Sequence, residues 1–204
     1  MQPKNIYLVF SKTRTWLSRL ICLVSRIKYA HSSLSFDPGF TEMYSFGRTN
    51  PDNPFSGGFV VENLYEGVYK KFPRCECVIY KVAVTDEQYS ALRKQIEQFL
   101  RNKEKYRYNF IGLFCVLLNK PLKRKYHYFC SQFVAEVLIN SHILSSEKKP
   151  ELITSRDLQS YMKDKDLIYE GFTKETRTVL KTKDKLVIPD PSRVKEKTLT
   201  YFTT

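Results

Sequence analysis

The chain has 204 residues, 42% of them hydrophobic, 14% aromatic and 27% charged, with only 7 glycines. This balance excludes disordered and collagen-like chains and suits one globular domain with a sizeable core. Lys and Arg number 34 against 21 Asp and Glu, and the net charge of +13 favours anionic partners such as lipid, nucleic acid or an acidic polymer.

Asn5 to Phe10 reads as a short buried strand. Trp16 to Val24 places apolar residues at helical spacing after a Thr or Ser cap. It is basic as well as apolar, and the pattern favours a core-facing helix over a membrane-surface one. Tyr29 to Phe36 alternates as a strand, Asp37-Pro38-Gly39 is a turn signal, and Glu42 to Phe46 is a second strand, which together predict a hairpin. A loop rich in Pro, Asn and Gly follows from Asn50 to Gly58, then strands over Gly58 to Glu62 and Cys75 to Val84. Thr85-Asp86-Glu87-Gln88 is an N-cap with an acidic first turn, which opens a helix to Arg101. Tyr106 to Leu118 reads as a buried helix or irregular core segment.

Phe129 to Ile139 has apolar residues at 133, 134, 137 and 138, a helix with Cys130 at its start. A short polar helix over Ser155 to Lys163 and a strand over Leu167 to Phe172 complete residues 1–172. Residues 173–204, rich in Lys and Thr, read as a basic extended arm or tail of the same domain. Strands beside segregated helices make the expected class α+β.

No run of about 18 apolar residues is present, which excludes a transmembrane helix. The short Ile6–Phe10 segment lacks the length and cleavage site of a secretion signal, so a cytoplasmic location is expected. Five cysteines, mostly within apolar segments, point to free thiols in a reducing compartment. Cys75-Glu76-Cys77 has the wrong spacing for a structural zinc site and no second pair accompanies it.

A helix N-terminus stabilises a thiolate and offers unpaired N–H groups to an oxyanion, and Cys130 is placed for both. Its base must come from His31, His127 or His142. His31 opens a strand that faces a helix, whereas His127 sits in a basic segment and His142 follows a helix end, so His31 is the better partner. Tyr44, Arg48 and Tyr128 are candidates to line the cleft, and the basic run from Lys120 to Lys125 is a candidate to steer anionic substrates.

Tyr29-Ala30-His31-Ser32-Ser33-Leu34, followed about a hundred residues later by Tyr128-Phe129-Cys130-Ser131-Gln132-Phe133-Val134, resembles the circularly permuted papain-like cysteine hydrolases. These are the permuted NlpC-type branch, with YiiX-like proteins and relatives of lecithin:retinol acyltransferase, in which the His strand precedes the Cys helix. The resemblance implies a small antiparallel sheet or half-barrel packed against the Cys helix, with Cys130 as nucleophile and His31 as base. It also implies a polar residue, often Glu, orienting the His from the following strand. Hairpin register favours Ser45 for that third position and electrostatics favours Glu62; both stay open.

The leading expectation is a hydrolase cleaving a peptide or N-acyl amide through an acyl-thioester, with no metal or organic cofactor. Its substrate would be a small molecule or a peptide- or lipid-linked amide. One alternative is a thiol acyltransferase or thioesterase on lipid-linked substrates. Another is a non-catalytic basic module for anionic lipid or nucleic acid, although no RNP, KH or helix-turn-helix signature marks a specific nucleic-acid binder.

Overall fold

The structure, a computed structural model, describes residues 3–13, 27–50, 53, 56–72 and 74–185. The helix expected over Trp16 to Val24 lies outside the described residues, as does residue 186 onward.

The elements make an α+β arrangement around one antiparallel sheet. Its strands are β1 (Lys4–Lys12), β2 (His31–Ser35), β3 (Met43–Arg48), β4 (Gly57–Glu62), β5 (Glu76–Val84) and β8 (Asp166–Phe172), in the spatial order β4-β3-β2-β1-β5-β8. A separate two-residue parallel pair joins β6 (Arg107–Tyr108) to β7 (His127–Tyr128). The helices are α1 (Gly67–Lys71), α2 (Asp86–Arg101), α3 (Phe110–Leu117), α4 (Cys130–Asn140), α5 (Ser155–Tyr161) and α6 (Thr176–Lys185).

The β2–β3 hairpin turns where Asp-Pro-Gly predicts it. The Asp37 carboxylate accepts from the backbone N–H of Gly39 and of Thr41, each at 2.7 Å, so the side chain supplies the hydrogen bonds of the tight turn. The α2 helix starts at a reciprocal cap: Gln88 N–H donates to Thr85 Oγ1 at 3.2 Å and Thr85 N–H to Gln88 Oε1 at 3.0 Å. Its Leu92, Ile96 and Phe99 are buried at helical spacing.

The sheet buries two apolar layers. One holds Leu8, Phe10, Leu34, Phe46 and Phe59 against α2 and against Phe133, Val134, Val137 and Leu138 of α4. Several of its aromatic rings meet edge-on or tilted, as Phe46 and Phe59 do with Phe133 at 5.4 and 5.5 Å, an arrangement that ring quadrupoles favour. The second holds Val9, Phe40, Met43, Cys75, Cys77 and Ile79 with Tyr69 of α1 and Tyr169 of β8.

Two segments differ from the sequence expectation. Residues 106–118 do not form a buried core segment: Ile111 and Phe114 of α3, and Leu118 just after it, are more than half exposed. Residues 173–185 are not an extended arm, since a 3-10 turn at Thr173–Glu175 leads into α6, with Thr173 and Thr176 buried. No described helix is long and apolar enough to cross a membrane.

Candidate active site

His31 opens β2 at the point where three elements converge. In the β1–β2 pairing it stands opposite Ser11. The β2–β3 register of Leu34 with Tyr44, continued to the strand end, sets it opposite Gly47. A Cβ on Gly47 would lie 3.2 Å from Glu62 Oε1 and 3.6 Å from His31 Cε1. The missing side chain therefore leaves the space in which the Glu62 carboxylate, at the end of β4, crosses β3 to reach the imidazole.

That contact is close and two-pronged. His31 Nε2 lies 3.0 Å from each Glu62 oxygen. Glu62 Oε2 also accepts from Ser33 Oγ at 2.8 Å and from the Tyr69 hydroxyl at 3.5 Å, and Tyr69 in turn lies 3.3 Å from Ser11 Oγ. A carboxylate held by several donors is fixed in orientation and kept ionised. Burial alone would push the Glu62 carboxyl up, but the His31 charge and these hydrogen bonds hold it below its ordinary value.

With Nε2 on the carboxylate, Nδ1 is the ring nitrogen left for Cys130, and each of the two residues shifts the acidity of the other. Burial favours the neutral imidazole, yet the Glu62 and Cys130 charges outweigh it and raise His31 well above its ordinary 6.5. Burial likewise opposes the Cys130 thiolate. The His31 hydrogen bond and charge, with the backbone N–H groups of Ser32 and Ser131, overcome that cost and hold the thiol below its ordinary 9.0. Each partner thus favours the charged form of the other.

Cys130 is 4% exposed and begins α4. Its Sγ lies 3.6 Å from the Ala30 carbonyl oxygen, which also accepts from Ser155 Oγ at 3.3 Å. Ser131 Oγ anchors the same first turn by donating to the Ile153 carbonyl at 2.8 Å. These bonds lock the helix end against the start of β2, a condition for aligned chemistry.

Of the residues singled out in the sequence, Cys130, His31 and Glu62 are brought together. Ser45 is not: fully buried, it donates to the Ser32 carbonyl at 2.8 Å, so Glu62 meets the ring in its place. His127 Nδ1 turns to the Lys125 carbonyl at 2.8 Å. Tyr44 belongs to the aromatic core, stacked on Phe59, and the Tyr128 hydroxyl donates to Glu136 at 3.0 Å. Arg48 does line a cleft of about 840 Å³, together with Val60, Glu62, Tyr69, Tyr106 and Arg107, whereas neither His31 nor Cys130 lines it.

Tyr108 is the residue that sequence reasoning missed. Burial first, and then the neighbouring Cys130, raise its phenol well above the ordinary 10.0, so it is a neutral O–H group beside that cysteine. What brings it there is Gly57, where a Cβ would fall 2.5 Å from Tyr108 Cβ, so only glycine permits β6 to pack so near β4. Tyr108 lies in one of several Tyr-rich stretches, and nothing in its local pattern marks it out.

Among the described residues, no group of three His, Cys, Asp or Glu side chains could hold a metal ion. Set against protein-family models, curated proteins and solved structures, the chain matches none of them significantly.

Proposed function

We propose that the protein is a cysteine-dependent hydrolase of the permuted papain-like kind, cleaving an amide of peptide or N-acyl type in the cytoplasm. The observation that carries the reading is His31, held at 3.0 Å by the Glu62 carboxylate and paired electrostatically with Cys130 at the start of α4. The order of its parts, a His strand before a Cys helix, and the packing of that helix on an antiparallel sheet support the permuted architecture.

In this mechanism the Cys130 thiolate attacks the substrate carbonyl carbon, forming the C–S bond. The electron pair moves onto the carbonyl oxygen, where backbone N–H groups at the start of α4 and the Tyr108 hydroxyl supply donors. As the C–N bond breaks, the His31 imidazolium gives its Nδ1 proton to the leaving amine, and an acyl-thioester remains. The neutral His31 then takes a proton from water, the hydroxide attacks the thioester, and the acid leaves as the thiolate is restored. Glu62 holds the ring's orientation and stabilises each imidazolium state.

The test is to trap the intermediate. On brief incubation with a p-nitrophenyl acyl ester, intact mass should rise by one acyl group, mapped to Cys130 by peptide analysis, and nitrophenol should be released in a burst. Acylation absent, or spread over the other cysteines, would contradict the reading.

A further inference from the structure

We propose that the exposed face of α3 is a docking surface for anionic lipid membranes. The helix Phe-Ile-Gly-Leu-Phe-Cys-Val-Leu carries no charged residue. Ile111, Phe114 and Leu118 are 57%, 56% and 69% exposed and fall at the i, i+3, i+7 spacing of one helical stripe. Side chains of this size exposed together on one stripe mark an interaction surface.

What surrounds the stripe decides the occupant. From Lys105 to Ala135 the sequence holds no Asp or Glu, while Lys120, Lys123, Arg124 and Lys125 follow the helix directly. Lys120 and Lys125 are exposed. Lys123 Nζ lies 3.9 Å from the carboxylate of Glu151, a buried residue. An apolar stripe followed in the chain by a cluster of cations fits the boundary between acyl chains and anionic headgroups. A nucleic acid would leave the apolar stripe wet.

The surface is also held rigidly. Asn109, fully buried, caps α3 by accepting from Gly112 N–H at 3.0 Å, and its own N–H donates to the Tyr128 carbonyl at 2.9 Å. Only that residue separates Tyr108 from α3. The docking itself does not depend on the proposed hydrolase chemistry.

The experiment is co-sedimentation of the full chain with vesicles of phosphatidylcholine alone or mixed equally with phosphatidylglycerol. Wild type should pellet with the mixed vesicles, less so with the neutral ones, and less at high salt. Ile111→Asp with Phe114→Asp should weaken binding by at least about tenfold, and Lys120→Glu with Lys125→Glu severalfold at low salt. Cys130→Ala should bind as wild type does, separating this result from any failure of catalysis. A Phe114→Trp variant should gain emission that brominated lipid quenches, a readout that needs no loss of binding. Wild type left in the supernatant, binding indifferent to the paired Asp substitutions, or added emission in Phe114→Trp that brominated lipid does not quench would each overturn the proposal. So would a solution dimer that the paired Asp substitutions split, since the face would then be covered by a second copy.

Discussion

Cys130 and Cys77 are two buried thiols on the same framework, 4% and 0% exposed, yet their acidities move in opposite directions. Cys77, within β5, has the Thr176 hydroxyl at 3.8 Å and apolar neighbours, and burial pushes it up to about 12. Cys130 also bears a desolvation cost but faces the His31 charge and two backbone N–H groups, and falls below 9.0. Burial therefore does not decide which thiol becomes more acidic. The choice comes from a strand end and a helix end that aim charge and dipoles at one sulfur.

The largest effect should come from exchanging the two roles. Cys130→Ala should abolish acylation, a loss on the order of 10⁶ where a nucleophile is removed from a working triad, while Cys77→Ala should leave the rate unchanged. A Cys130→Ala protein that still acylates would break the comparison outright.

Glu62→Gln keeps the shape but removes the charge that supports the imidazolium, and should lower the acylation rate by on the order of 10³. Its effect on stability has a definite sign with pH. Glu62 ionises more readily when folded, so its contribution is complete above its ordinary 4.5 and is lost as pH falls through the lower folded value. His31 binds its proton more tightly when folded, so its contribution is complete below 6.5 and is lost as pH rises through the higher folded value. Glu62→Gln should therefore flatten both limbs of the melting temperature against pH, measured by calorimetry.

Tyr108→Phe removes one oxyanion donor of the proposed mechanism and should cost roughly 10² in acylation rate while leaving the fold intact. The smallest effect belongs to Cys77→Ala, about 1 kcal/mol of stability in denaturant unfolding, from the loss of a packed sulfur.

Much of the framework was readable from local pattern. Short apolar runs marked β1, β4 and β5, alternation marked β2, Asp37-Pro38-Gly39 marked the hairpin to β3, and Thr85 with Gln88 marked the start of α2, because each signal lies within a few residues of what it controls. Cys130 and His31 were readable for the same reason, as residues at the ends of recognisable elements. The choice between Glu62 and Ser45 was not. It turns on Gly47, whose missing side chain lets a residue from β4 cross over β3, a fact of three-dimensional approach that pairwise register does not contain. Tyr108, and the Ser11–Tyr69–Ser33 group that fixes Glu62, are assembled by contacts between residues far apart in the chain. The apolar run of α3 suggested burial, yet composition alone does not say whether a helix faces the core or solvent.

The most direct measurement is the pH dependence of iodoacetamide labelling, resolved cysteine by cysteine by mass spectrometry, in wild type and His31→Ala. The account predicts that Cys130 labels well below pH 9, ahead of Cys77, and that this lead disappears without His31. A Cys130 that titrates like an ordinary thiol, or keeps its lead in His31→Ala, would contradict the claim that the His31 charge makes this sulfur a nucleophile.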